Sequence, residues 1–172
     1  MRFSTRQIVV AGMLGAVAII LAATGIGMIP MPTGVHATIM HVPAILGGIL
    51  EGPLVGAAVG LIFGLYSFLT PANPAFADPL VAILPRLFIG VLAYYTYKAT
   101  KSSALAAVVG TATNTVGVLG MSVVRGYWPL KFVITVAVAH GIPEIVVAVI
   151  IVVILVRALK SRLKPASVSQ NV

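Results

Sequence analysis

Four apolar runs, residues 8–29, 79–97, 102–124 and 130–156, each approach or exceed the about 20 residues an α-helix needs to cross roughly 30 Å of hydrocarbon. Two shorter apolar runs, 39–50 and 54–69, are parted by Glu51-Gly52-Pro53, a combination that breaks helices and makes turns. Whether residues 39–69 form one kinked helix or two short ones is decided by charge. Short cytoplasmic segments concentrate Lys and Arg, and both ends of this chain are basic: Arg2 and Arg6 before the first run, and Arg157, Lys160, Arg162 and Lys164 at the end of the last and beyond it. Lys98 and Lys101 form a further basic pair, so an even number of crossings is expected between them and the N-terminus. One kinked helix gives three; two short helices give four, and six in all.

The pattern therefore predicts an all-α integral membrane protein, a compact bundle of six transmembrane helices with both termini cytoplasmic. A re-entrant pair at 39–69 satisfies the same parity and stays open. Residues 1–164 are expected to form one transmembrane domain in the cell membrane, and the polar tail 165–172 to be disordered. The first run, 22 residues long, exceeds the usual apolar core of a signal peptide, about 7–15 residues, and is read as a retained helix. The outward loops are then 30–38, 70–78 and 125–129; in the last, Tyr127 and Trp128 suit an interfacial aromatic belt.

Composition agrees: 60% of the 172 residues are hydrophobic and 8% are charged. The mean hydropathy is +1.14. Three acids (Glu51, Asp78, Glu144) against eleven Lys and Arg give a net charge of +8. That balance would suit nucleic acid, but the cations cluster at the ends of the apolar runs, so the bilayer is the expected neighbour and nucleic acid is not. With no Cys there are no disulfides or thiolate metal sites. Neither a GxxxxGK[ST] loop for a nucleotide phosphate nor an HExxH motif for zinc is present. The chain reads as a non-enzyme with no catalytic residues, no cofactor and no metal.

Against this background Arg86 stands out, within LVAILPRLFIGVLAYY. A charge at the centre of a membrane helix costs about 2.5–3.5 kcal/mol even on lenient scales, so it is expected to face a cavity or a partner. At about 1.5 Å per residue, Arg86 lies roughly 11 Å below the outer face, Asn114 roughly 12 Å and His140 about 15 Å. Three polar side chains from three helices at similar depth suggest a pocket in the outer half of the membrane, with loops 30–38 and 70–78 able to fold over it. Glu144, about 21 Å deep by the same measure, offers Arg86 an ion-pair partner, and both readings stand. Asn114 has the similar alternative of a hydrogen bond between helices.

His36 and His41 are five apart, not the spacing of a shared helix face, which argues against a metal. His140 and Glu144 are four apart, with Pro143 between them expected to bend the helix. Gly56, Gly60 and Gly64 repeat every fourth position and predict close packing within the bundle, whereas Gly12 and Ala16 on the first helix could equally dock a partner.

Taken in order and spacing, GMLGA, HVPAILGGILEGPLVGAAVGLIFGLYSF, DPLVAILPRLFIGVLAY, TNTVGVLG and HGIPEIVVA resemble the substrate-binding S components of energy-coupling factor (ECF) vitamin transporters. The resemblance implies a six-helix bundle that captures a vitamin from outside, driven by two cytoplasmic ATPase subunits through a transmembrane coupling subunit. An Ala-x-x-x-Ala pattern in the family's first helix meets the coupling subunit; the matching positions here are Gly12 and Ala16, a departure at the first. Among vitamin subfamilies the chain most resembles the pantothenate S components, in His-Val-Pro, Pro-Arg and Asn-Thr of helices two, four and five. That implies Arg86 holding a carboxylate through paired hydrogen bonds and Asn114 and Thr115 serving hydroxyls or an amide, with His41, Asn73, His140 and Glu144 as further contacts. His140 departs from the family, which often has Asn before Gly-Ile-Pro-Glu. The alternatives are an S component for another small vitamin such as riboflavin, or an autonomous transporter using Arg86, Glu144 and His140 as an ion or proton path.

Overall fold

The computed structural model describes residues 3–30 and 36–163. Helix α1, Thr5–Ala23, is opened by a capping box: the Ser4 hydroxyl accepts from the Gln7 amide, and the Gln7 side chain accepts from the Ser4 amide. The expected helix through residue 29 stops earlier, at Ala23. Gly25, at φ +72°, takes a left-handed conformation that ends helices. The chain then enters a short strand β1, Met28–Pro30, paired antiparallel with β2, His36–Thr38, with Met28 opposite Thr38. The expected loop 30–38 is thus partly a β-ribbon. Residues 31–35 and the expected disordered tail 165–172 lie outside the described residues.

Helix α2, Val42–Glu51, has Pro43 in its first turn, and every residue from Val42 to Ile49 is buried. Gly52, at φ +105°, makes the turn into α3, Pro53–Leu69, so the break expected at Glu51-Gly52-Pro53 is where it was read. A 3-10 turn, Pro74–Ala77, leads to the single-turn α4, Pro79–Ala82, and α5, Leu84–Thr100. Helix α6 is Ser103–Val124, and α7 is Leu130–Leu163 with Pro143 inside it.

Counting α4–α5 as one, six principal helices are present among the described residues, and four of these are long and apolar enough to cross a membrane: α1, Pro79–Thr100, α6 and Leu130–Leu159 of α7. Ten residues give α2 about 15 Å, half the hydrocarbon thickness. It is an interior helix, contacting α1, α3, α5, α6 and α7. Its Ile45 and Ile49 join Val55, Val59, Ile89 and Val152 in the main core, while Met13, Val116, Ile134 and Ile150 point outward on a perimeter suited to lipid.

The glycine row packs α3 on α5, as its spacing predicted. A Cβ on Gly56 would lie 2.8 Å from Gly90 Cα, and one on Gly60 would collide with the Arg86 carbonyl. Ion pairs bind both ends of the bundle. At one end Arg6 reaches Glu51 at 2.6 Å, joining the start of α1 to the end of α2; at the other, Arg125 Nε donates to Asp78 Oδ2 at 2.6 Å, joining the α6–α7 turn to the start of α4.

Candidate substrate-binding cavity

A cavity of about 420 Å³ lies in the half of the bundle that carries Asp78 and the β-ribbon. All of α3, α5, α6 and α7 contribute to its wall: Phe63 and Tyr66; Arg86; Asn114 and Thr115; His140 and Glu144. Thr38, Phe76 and Trp128 add to it from the connecting segments. This is the usual make-up of a ligand pocket, mostly apolar with a few converging polar groups.

The break between α4 and α5 positions Arg86. Its backbone N–H bonds to the Ile83 carbonyl at 3.1 Å, three residues back. The Ala82 carbonyl, which an unbroken helix would offer to that N–H, instead accepts from the Arg86 guanidinium. Arg86 is only 4% exposed, and its Cζ sits 4.6 Å from the Phe63 ring centroid and 4.9 Å from that of Phe76. Cation–π attraction of this kind strengthens when the cation is dehydrated. No carboxylate pairs with Arg86 among the described residues, and its Nε is buried without a partner.

The Arg86–Glu144 ion pair expected as an alternative is therefore not formed. Glu144, 1% exposed, is engaged elsewhere: Thr38 Oγ1 donates to its Oε1, and Thr115 Oγ1 to its Oε2 at 2.7 Å. Its two oxygens are taken by hydroxyls from β2 and α6, while the Arg86 guanidinium turns to the Ala82 carbonyl.

The structure brings Arg86, Asn114, Thr115, His140 and Glu144 to this one cavity. Asn114 Oδ1 is buried without a partner, and His140 is half-buried. Buried polar atoms are rarely left unsatisfied, so orphans on a cavity wall point to a missing ligand or water. His41 is fully buried and stands behind Glu144 rather than on the wall; its Nε2 is 2.9 Å from Thr111 Oγ1 and its Nδ1 3.7 Å from Glu144 Oε1. Asn73 is not on the wall either: its side chain accepts from the Ala75 amide at 3.0 Å and caps the 3-10 turn. Gly12 and Ala16 lie on the exposed face of α1.

Sequence reasoning missed Phe63, Phe76, Thr38 and Thr111. Within apolar runs and loops their residue types carry no polar signal of the kind that exposed Arg86. Trp128, read as an interfacial anchor, also lines the cavity, 5.8 Å from Phe132 in edge-to-face contact.

Outside the spanning segments, Asp78 holds this end together. Its Oδ1 accepts from the Leu80 amide at 2.9 Å and its Oδ2 from Arg125 and, at 3.4 Å, from the Tyr127 hydroxyl. The Arg125 hydrogen bond holds the Asp78 carboxyl below its ordinary pKa.

A family model described as the ECF transporter, substrate-specific component, matches residues 6–156. The chain belongs to this family. It is 33% identical over 157 residues to the pantothenic acid transporter PanT of Lactococcus lactis subsp. cremoris (strain MG1363), covering 74% of this chain and 80% of that relative. As an ECF substrate-specific component it is a membrane transport protein that takes a vitamin substrate and works with ECF module partners. Membership of the ECF substrate-specific components fits a chain that gathers Arg86, Asn114, Thr115, His140 and Glu144 around one cavity.

Proposed function

We propose that this ECF substrate-specific component captures pantothenate from outside the cell in the Arg86 cavity, and that separate ATPase and coupling subunits supply the energy for its release inside. The observation that carries the reading is Arg86 itself: a buried guanidinium on a cavity wall, flanked by Phe63 and Phe76, with no acid of its own and an unpartnered Nε. A monocarboxylate is the ligand that completes it, through a bidentate, charge-assisted pair. Asn114, Thr115, His140 and Glu144 then meet the hydroxyl and amide groups of pantothenate, and the 33% identity to a pantothenic acid transporter favours the same vitamin.

In the membrane, both termini are cytoplasmic and the cavity sits in the outer half. Arg6, Lys98, Lys101 and Arg157 support this orientation, because they belong to the helix ends away from the cavity, where positive residues mark the cytoplasmic side. Residues 70–78 form part of the cover, with Phe76 against Arg86. Gly12 and Ala16 face the coupling subunit, and the loaded bundle reorients when the two ATPases cycle.

Calorimetry of the detergent-solubilised protein tests the substrate. Tight one-to-one binding of pantothenate, lost in Arg86→Ala while the fold is retained, is the expected result. Binding of riboflavin or folate in place of pantothenate would overturn the choice of vitamin, and unchanged affinity in a folded Arg86→Ala protein would remove Arg86 from the site.

A further inference from the structure

We infer that His41 and Thr111, neither of them on the cavity wall, are positioning residues that act on the ligand through Glu144. This deepens the pantothenate reading and rests on it for the choice of ligand.

One threonine of α6 departs from the usual hydrogen bonding of helical threonines. Threonines within helices commonly donate their hydroxyl to the carbonyl four residues back, as Thr96, Thr100 and Thr113 do here, to Leu92, Thr96 and Val109. Thr111, two residues before Thr113, is fully buried and bonds across to His41 Nε2 at 2.9 Å instead. A neutral imidazole has one donor and one acceptor nitrogen. If Nε2 carried the proton, the bare Nδ1 lone pair would face Glu144 Oε1 at 3.7 Å, lone pair against carboxylate. If Thr111 donates to Nε2, the proton sits on Nδ1 and points at Glu144. Only the second arrangement has every group in a compatible role: the Glu144 carboxylate selects the Nδ1–H tautomer, and the Thr111 hydroxyl, donating to Nε2, holds it.

The Nδ1–H so placed is buried and unpartnered, about 1 Å beyond a charge-assisted hydrogen bond to Glu144. A small movement of Glu144 closes that gap. Each carboxylate oxygen accepts about two hydrogen bonds. With Thr38 and His41 on Oε1 and Thr115 on Oε2, one acceptor position remains, on Oε2, which is the oxygen that a ligand hydroxyl or amide N–H can use. The layer behind the cavity thus decides which oxygen of Glu144 is offered and holds it there, at the wall opposite in charge to Arg86.

Nitrogen-15 NMR of the histidine side chains in the purified, ligand-free protein, with His41 identified by comparison with His41→Gln, reads the tautomer directly. A protonated Nδ1 and bare Nε2 are expected, with the Nδ1 proton moving downfield when pantothenate is added. Nε2 protonation would overturn the inference. Binding supplies the second arm. Thr111→Val is expected to weaken pantothenate binding about tenfold, Thr111→Ser to restore it, and Thr111→Val to add nothing in a Glu144→Gln background. Equal losses in both backgrounds, or no loss in either, would mean that Thr111 is only structural and would also overturn it. Should Glu144→Gln bind too weakly to measure, the tautomer and the Val/Ser pair decide. A wild-type protein that binds no pantothenate yet shows the Nδ1–H tautomer removes the substrate and leaves the positioning layer; bound pantothenate with an Nε2–H tautomer does the reverse.

Discussion

The backbone carbonyl of Arg86 lies directly against Gly60, with no room for a side chain between α3 and α5. That contact sets the height at which the guanidinium leaves α5 and brings it beneath Phe63, three residues further along α3. Gly60→Ala must push the helices apart against rigid backbone, a change that costs about 1–3 kcal/mol in packed interiors. We expect a lower Tm in detergent and weaker pantothenate binding, both measurable on one preparation. Gly12→Ala is the control, because a Cβ there meets nothing within 4 Å; its affinity should match the wild type and its Tm should hold or rise, since Ala is the better helix former.

Replacing Arg86 by Lys keeps a positive charge but removes the planar fork that pairs with a carboxylate. Arg86→Lys is expected to weaken pantothenate binding by about 10- to 100-fold, which corresponds to roughly 1.4–2.8 kcal/mol. Phe76→Leu removes one of the two rings on the guanidinium, a contact worth about 0.5–2 kcal/mol, and should cost a smaller factor. Calorimetry of the two variants checks the ranking; a Lys variant as tight as the wild type would rule out bidentate recognition.

Asp78 predicts an acid limb in the stability of the cavity end. Its carboxyl is held below the ordinary carboxylate pKa by Arg125, with further help from the Leu80 amide and the Tyr127 hydroxyl. A depressed carboxylate contributes stability that is fully present above its unfolded pKa and is lost as pH falls through the folded value. The wild-type Tm should therefore drop at acidic pH below the usual carboxylate range. In Asp78→Asn that part of the drop should be absent, with a lower Tm at neutral pH. Parallel pH curves for the two proteins would count against the ion pair as a fastening of residues 70–78.

Much of this was legible because the bilayer makes polarity expensive. Arg86, Asn114 and His140 stand out against apolar neighbours, and one cavity holds all three. Element limits were read well where Gly or Pro punctuates the chain, as at Gly52-Pro53, and less well at Gly25, where apolar residues continue past the helix end. Partner choice was not legible: Glu144 looked like the acid for Arg86 because both are charged, yet Thr38 and Thr115 reach it instead. Thr38 lies 106 residues from Glu144, and no periodicity reports such a contact. Phe63 and Phe76 were invisible for a related reason, since an aromatic residue in a hydrophobic chain looks the same whether it faces lipid, core or a guanidinium.

The face of α1 predicts a separation between binding and assembly. Gly15 turns inward, where a Cβ would come within 2.6 Å of Ile62, whereas Gly12 has open space and Ala16, Val9, Met13 and Ile20 are exposed beside it. Small residues let a second helix approach closely, and a bulky residue at the same position holds it off. Exposed substitutions usually change stability by no more than about 0.5 kcal/mol. Gly12→Leu and Ala16→Leu should therefore keep vitamin affinity within about twofold, since neither position lines the cavity. Co-purification with the coupling subunit should be lost in the same variants. If assembly survives both changes while Arg86→Lys still weakens binding, the docking face lies elsewhere on the bundle and the cavity stands on its own.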